Sequence, residues 1–166
     1  YSPGVVTSVN TAILAYTSPG DRILMQTPIY YPFYSSIRDN ERELVVNPLK
    51  NNNGYYEIDF ADLENKLSDH VKLMIFCSPH NPIGRVWKLH ELEKVLELCK
   101  KYNVVLVSDE IHSDLVFKGH KHIPIHSLSV ETYKKCITLV SPTKTFNIAG
   151  LSVSAAIIPD LELRNT

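Results

Sequence analysis

Lys144 has the most distinctive chemistry in this chain, because lysine is the side chain that condenses with an aldehyde, and it must be neutral to do so. It sits in Ser141-Pro-Thr-Lys-Thr-Phe-Asn147, just past an apolar, β-branched run, with the Ser141 and Thr143 hydroxyls beside it. Asp109 follows the apolar stretch Val104-Val-Leu-Val107, where a carboxylate needs a cation or several donors; a pyridinium N–H would serve. Asn81, in Cys77-Ser-Pro-His-Asn-Pro-Ile-Gly84, places an amide in a turn stiffened by prolines, able to donate to a phenolate. Lysine for the carbonyl carbon, carboxylate for the ring nitrogen and amide for the ring oxygen together suit a pyridine aldehyde, pyridoxal phosphate (PLP). Such a ring, kept protonated by Asp109, can absorb the electrons of a carbanion. Each residue also has an ordinary use: a solvated lysine, a helix cap or salt bridge, an Asn-Pro turn.

Further residues could complete such a site. Tyr30, in Thr27-Pro-Ile-Tyr-Tyr-Pro-Phe-Tyr34, could stack offset-parallel on a ring, while Tyr31 and Phe33 read as core packing. Gly4-Val5-Val6 at a helix start would present unpaired N–H groups to a phosphate, as every helix start does. Glu110, His112 and Asp114 permit a metal reading, but their spacing matches no known metal signature, so no metal is expected. His120, His122 and His126 read as a surface loop.

These residues need elements that bring them to one place. Val5, Val6, Val9, Ala12, Ile13 and Tyr16 recur at helical spacing until Ser18-Pro-Gly-Asp21 breaks the pattern. Strands are expected at 22–26, 43–47, 71–77, 104–107, 137–140 and 153–158, with an exposed turn at Asn51-Asn-Asn-Gly54. A second helix should reach about Asp39, and Asp59 should cap a third through Leu67. Leu89 to Tyr102 is the clearest helix, with Leu92, Val95, Leu96 and Cys99 on one face. Strands alternating with helices predict an α/β chain, a three-layer α-β-α sandwich around a mainly parallel mixed sheet. Ligands bind beyond the carboxyl ends of such strands, so one rim would collect Tyr30, Asn81, Asp109 and Lys144.

Composition narrows the partner. At 166 residues and 44% hydrophobic, the chain suits one sizeable domain. With 17 Lys+Arg against 18 Asp+Glu and no run of like charge, it has no electrostatic footprint for nucleic acid or an anionic membrane, and a small-molecule partner is expected. Three widely spaced cysteines argue against a disulfide framework and for a reducing compartment, taken as cytoplasm. The chain opens on Tyr1-Ser-Pro-Gly4 and stops in what could be the first turn of another helix, so it reads as part of something longer.

Taken together, Cys77-Ser-Pro-His-Asn-Pro-Ile-Gly-Arg-Val-Trp87, Ser108-Asp-Glu-Ile-His-Ser-Asp114 and Lys144-Thr-Phe-Asn-Ile-Ala-Gly150 resemble the fold type I PLP enzymes, the class I/II aminotransferase superfamily, and within it the cystathionine β-lyase branch. The resemblance runs from Pro3-Gly-Val-Val6 to Ile157-Ile-Pro159. It implies that residues 1–166 are an incomplete PLP-binding large domain of the aspartate aminotransferase type, lacking an N-terminal segment and a C-terminal small domain. It also implies Lys144 as the lysine bonded to PLP, Asp109 at the pyridine nitrogen, Asn81 at the phenolic oxygen and Tyr30 over the ring. Val5 and Val6 main-chain groups and Ser141 would hold the phosphate. His112 stands where many relatives have a tyrosine near the phenolic oxygen. Ser152 stands where many aminotransferases have a phosphate-binding arginine, eight residues after the lysine.

The implied reaction is α,β-elimination from a sulfur amino acid such as cystathionine or cysteine, giving pyruvate, ammonia and a thiol. Lys144 would take the α-proton, and Lys144 or Tyr30 would protonate the departing sulfur. Relatives act as homodimers and supply the arginine for the substrate carboxylate from the small domain, so this fragment alone could lack activity. An aminotransferase is the nearest alternative; a non-catalytic PLP-fold regulatory or interaction module is the alternative of another class.

Overall fold

The computed structural model describes residues 1–129 and 133–166. The strands among the described residues are β1 (Arg22–Thr27), β2 (Glu43–Pro48), β3 (Lys50–Asn52), β4 (Tyr55–Glu57), β5 (Val71–Cys77), β6 (Val105–Asp109), β7 (Cys136–Val140) and β8 (Ala155–Ile157), all but β3 and β4 grown from the expected apolar runs. Six of them form one sheet in the order β2-β1-β5-β6-β7-β8, parallel except that β8 runs antiparallel to β7. All of β6 is buried, as is β5 except Lys72, which is what a central strand covered on both faces requires.

Helices cover both faces. Successive strand residues point to opposite sides, so Ile23 and Met25 of β1 enter one core and Leu24 the other. On the first side lie α1 (Val5–Tyr16) and α2 (Pro32–Arg38), packing Val9, Ile13, Phe33 and Ile37 against Leu73 and Ile75. On the second lie α3 (Phe60–Leu67) and α4 (Leu89–Tyr102), packing Leu63, Leu67, Leu92, Val95 and Cys99 against Met74, Phe76 and Leu106. Each fully buried side chain of this kind is worth about 1.5–3 kcal/mol. Asp59 caps α3 by accepting the Asp62 N–H at 3.2 Å. Asn103 ends α4 at φ 58°, turning the chain directly into β6. This is the three-layer sandwich that the alternation of patterns predicts.

Local differences matter for the site. β6 continues two residues beyond the expected end, so Asp109 is its last residue rather than the start of a loop. The region expected as a simple turn at 51–54 is a small antiparallel hairpin, β3 and β4, closed by the Gly54 N–H on Asn51 Oδ1 at 2.7 Å. The last strand is shorter than 153–158. A short α5 (His126–Ser129) follows the histidine-rich loop, and α6 (Leu161–Arg164) is the helical turn expected at the end. Among the described residues no helix is long and apolar enough to cross a membrane.

The sheet order sets where ligands can enter. From β1 the chain moves outward to β2, then returns to lay β5 on the other side of β1, so the order reverses between β1 and β5. The crevice at the carboxyl ends of these two strands is the topological switch point.

Candidate active site

Asp109 is buried at that rim, 4% exposed and paired in register with Cys77 at the end of β5. Its Oδ1 accepts the Ile111 N–H at 3.1 Å, and its Oδ2 has the Cys77 thiol at 4.0 Å. Burial lifts its pKa from 3.8 to about 6; the Ile111 N–H lowers it, the Glu110 carboxylate raises it and Lys144 lowers it. A buried carboxylate with one firm donor fits a protonated ring nitrogen at Oδ2.

Lys144 lies in the turn after β7, exposed, and near enough to Asp109 and His112 to act on both. Burial lowers the His112 pKa, and the Lys144 charge lowers it further. The turn is held by the Phe146 N–H on Pro142 O and the Ile148 N–H on Thr143 O, both at 3.0 Å. Thr145 ties it to the loop after β6 by donating to Asp114 at 2.8 Å. The Ser141 hydroxyl donates to Val153 O at 2.6 Å and lies 2.7 Å from the Thr143 hydroxyl, so it shapes the turn that carries Lys144.

The next residue along, Ser154, joins that turn to α1. Ser2 and Ser154 form a two-way backbone bridge, and the Ser8 and Ser154 hydroxyls are 3.3 Å apart. The first intrahelical bond of α1 is Ser8 N–H to Gly4 O at 3.1 Å, so the Val5 and Val6 N–H groups precede the hydrogen-bonded turn. Gly4, at φ 125°, turns the chain into the helix in a conformation that a side chain would oppose.

Across the switch point, Tyr30 is half-buried in the turn before α2, its ring 5.5 Å from Tyr31 and edge-on to Phe33 at 5.7 Å. Phe33 is core, as expected, but Tyr31 is exposed, not core: its position at the start of α2 turns it outward. Asn81 donates its N–H to Cys77 Sγ at 3.4 Å in a turn closed by the His80 N–H on Arg85 O at 2.8 Å. His80, which the sequence reading assigns no role, links the two turns: its Nε2 donates to Pro28 O at 2.8 Å, and burial lowers its pKa to about 4, keeping it neutral. Its place between β-strand end and proline turn was visible in the sequence, but its partner 52 residues away was not.

A cavity of about 500 Å³ opens beside this rim. Asn81 and His112 line it, together with Tyr55, Arg85, Leu115 and Phe117; Asp109, Lys144, Tyr30 and Ser141 lie outside its lining. Arg85 is itself buried, donating to both Glu91 oxygens at 2.8 and 2.6 Å and lying over the Tyr55 and Trp87 rings. The expectation that His120, His122 and His126 form one surface loop fails at His122. Its side chain is buried against Glu110, with Nε2 2.7 Å from Oε2, because a buried carboxylate needs a donor.

Comparisons with known proteins bear on the family and the fold. The model of the family "Aminotransferase class I and II" matches residues 1–166. The cystathionine beta-lyase PatB of Bacillus subtilis (strain 168) is 53% identical over 161 residues, 96% of this chain and 42% of that protein. The structure of cystalysin from Treponema denticola, which contains a pyridoxal 5'-phosphate cofactor, superposes with a TM-score of 0.96 at 43% identity over 99% of this chain and 42% of that one. The PLP-bound C-S lyase from Staphylococcus hominis gives a TM-score of 0.94 at 41% identity, again covering 99% and 42%. The chain therefore spans about two fifths of the relatives it matches.

Proposed function

This chain belongs to the aminotransferase class I and II family, and from that premise we propose that residues 1–166 are the PLP-binding large-domain core of a carbon–sulfur lyase. The observation that carries the reading is Asp109, a buried carboxylate with one backbone donor, set within electrostatic reach of Lys144 at the end of the central strand. When bound, PLP supplies an electron sink for a carbanion at the substrate α-carbon. Asp109 would hold the ring nitrogen protonated, and Asn81 and His112 would donate at the phenolic oxygen. Tyr30 would cover the ring face, and the Val5 and Val6 N–H groups with Ser141 would meet the phosphate at the α1 start. Lys144 would carry the cofactor, then take the α-proton of the substrate; Lys144 or Tyr30 would return a proton to the leaving sulfur.

The same reading takes the remaining parts of the enzyme, an N-terminal segment and a C-terminal small domain, from outside these residues, and takes the full-length protein as a cytoplasmic homodimer. Three buried thiols support a reducing compartment. Exposed Phe117, Phe146 and Leu151, the first 90% exposed, support a surface that other parts of the assembly cover. The lyase reading is favoured over an aminotransferase by the 53% identity to a cystathionine beta-lyase. Full-length protein supplied with cystathionine is expected to release pyruvate. Transfer of the amino group to an added oxo acid, without pyruvate, would establish the aminotransferase instead.

A further inference from the structure

Glu110 follows Asp109 directly, is 1% exposed, and has a different set of partners. Its Oε1 accepts the Ser108 hydroxyl at 3.0 Å and the Ile125 N–H at 2.9 Å, and its Oε2 accepts from His122 Nε2 at 2.7 Å. One carboxylate thereby fastens β6 to both residues 122 and 125, at the far end of the segment that leaves β6. His122 Nδ1 has no partner among the described residues, so the Nε2–H bond to Glu110 is the contact that fixes the ring.

The segment between the two ends is otherwise tied lightly. Its backbone bonds are local turns, Ser113 N–H to Glu110 O, Leu115 N–H to His112 O and His120 N–H to Phe117 O, and Asp114 accepts from Thr145 at the surface. Yet this segment carries His112, within electrostatic reach of Lys144, and Leu115, Val116, Phe117 and His120, which wall the cavity opposite Asn81. Exposed Leu115 and Phe117 have little core of their own to hold them there.

We propose that Glu110 and His122 are positioning residues, a buried clasp that holds the 111–122 segment as the wall of the site and so sets where His112 stands relative to Asn81 and Lys144. The clasp touches neither substrate nor cofactor; it acts through His112. Its consequence for a bound cofactor rests on the PLP reading above, while its consequence for the segment does not.

Two measurements on the full-length protein test it. In amide hydrogen exchange without cofactor, His122→Leu removes the donor and is expected to speed exchange across 111–120 by about tenfold or more, the effect of losing one charge-assisted hydrogen bond, with α4 and β5 unchanged. His122→Gln keeps an N–H at about the same place and is expected to restore most of the protection. Unchanged exchange in His122→Leu, or a rise spread equally over α4 and β5, would overturn the clasp. In the PLP-loaded protein, His122→Leu is expected to shift the cofactor's visible band and raise KM more than it lowers kcat, with His122→Gln near wild type. A loosened segment with an unmoved band would overturn the link to His112. Wild-type protein that takes up no PLP would instead refute the cofactor reading, leaving exchange to decide the clasp.

Discussion

Asp109 is held in a place that favours its protonated form until a cation arrives. Its folded pKa of about 6 lies above the ordinary 3.8, so between these values the folded chain binds the proton more tightly than the unfolded chain. Stability contributed by Asp109 is therefore present in full below about pH 4 and is lost as pH rises through 6. His80 works in the opposite sense: its pKa falls from 6.5 to about 4, so its contribution is lost as pH falls through that window. The two overlap, and only a difference measurement isolates one. In the absence of cofactor, Asp109→Asn is expected to match wild type near pH 4 and to exceed it increasingly up to pH 6, read from urea midpoints across the series. A gap between the two proteins that does not change with pH would contradict the burial account. Adding PLP should reverse the order, because only the carboxylate can pair with a protonated ring nitrogen.

At the scale of elements, the turn after β5 and the start of α4 are locked by the Arg85–Glu91 pair, both side chains 9% exposed, with Glu91 also accepting the Lys88 N–H at 2.8 Å. Removing Glu91 leaves a buried guanidinium without its partner, so Glu91→Ala is expected to destabilise by about 3 kcal/mol or more. Lys94→Ala, at the exposed Lys94–Glu97 pair on the same helix, should stay within about 1 kcal/mol. Equal urea midpoints for the two variants would refute the assignment. The sequence shows α4 and β5 clearly because fourteen and seven residues repeat one pattern. It hides β3 and β4 because three-residue strands hold too little periodicity, and it hides the direction of β8 because side-chain alternation is the same for parallel and antiparallel pairing. Lys144, Asp109 and Asn81 were legible since each follows an apolar run. Glu110 with His122, and His80 with Pro28 O, were not: a pairing across 12 or 52 residues leaves no local trace.

For the whole molecule, the sheet is a device for convergence. Parallel strands end on one rim, the order reverses between β1 and β5, and the turn after β7 is fastened by Ser141 on Val153 O. Tyr30, Asn81, Asp109 and Lys144, spread over more than a hundred residues of sequence, come to one edge for that reason. On the proposed function, this edge holds pyridoxal phosphate through Lys144. Titrating the full-length protein with PLP and recording visible absorbance tests it most directly. A protein-bound band is expected in wild type and should be absent in Lys144→Ala at the same PLP concentration. A band of the same position in Lys144→Ala, or none in wild type, would contradict the account.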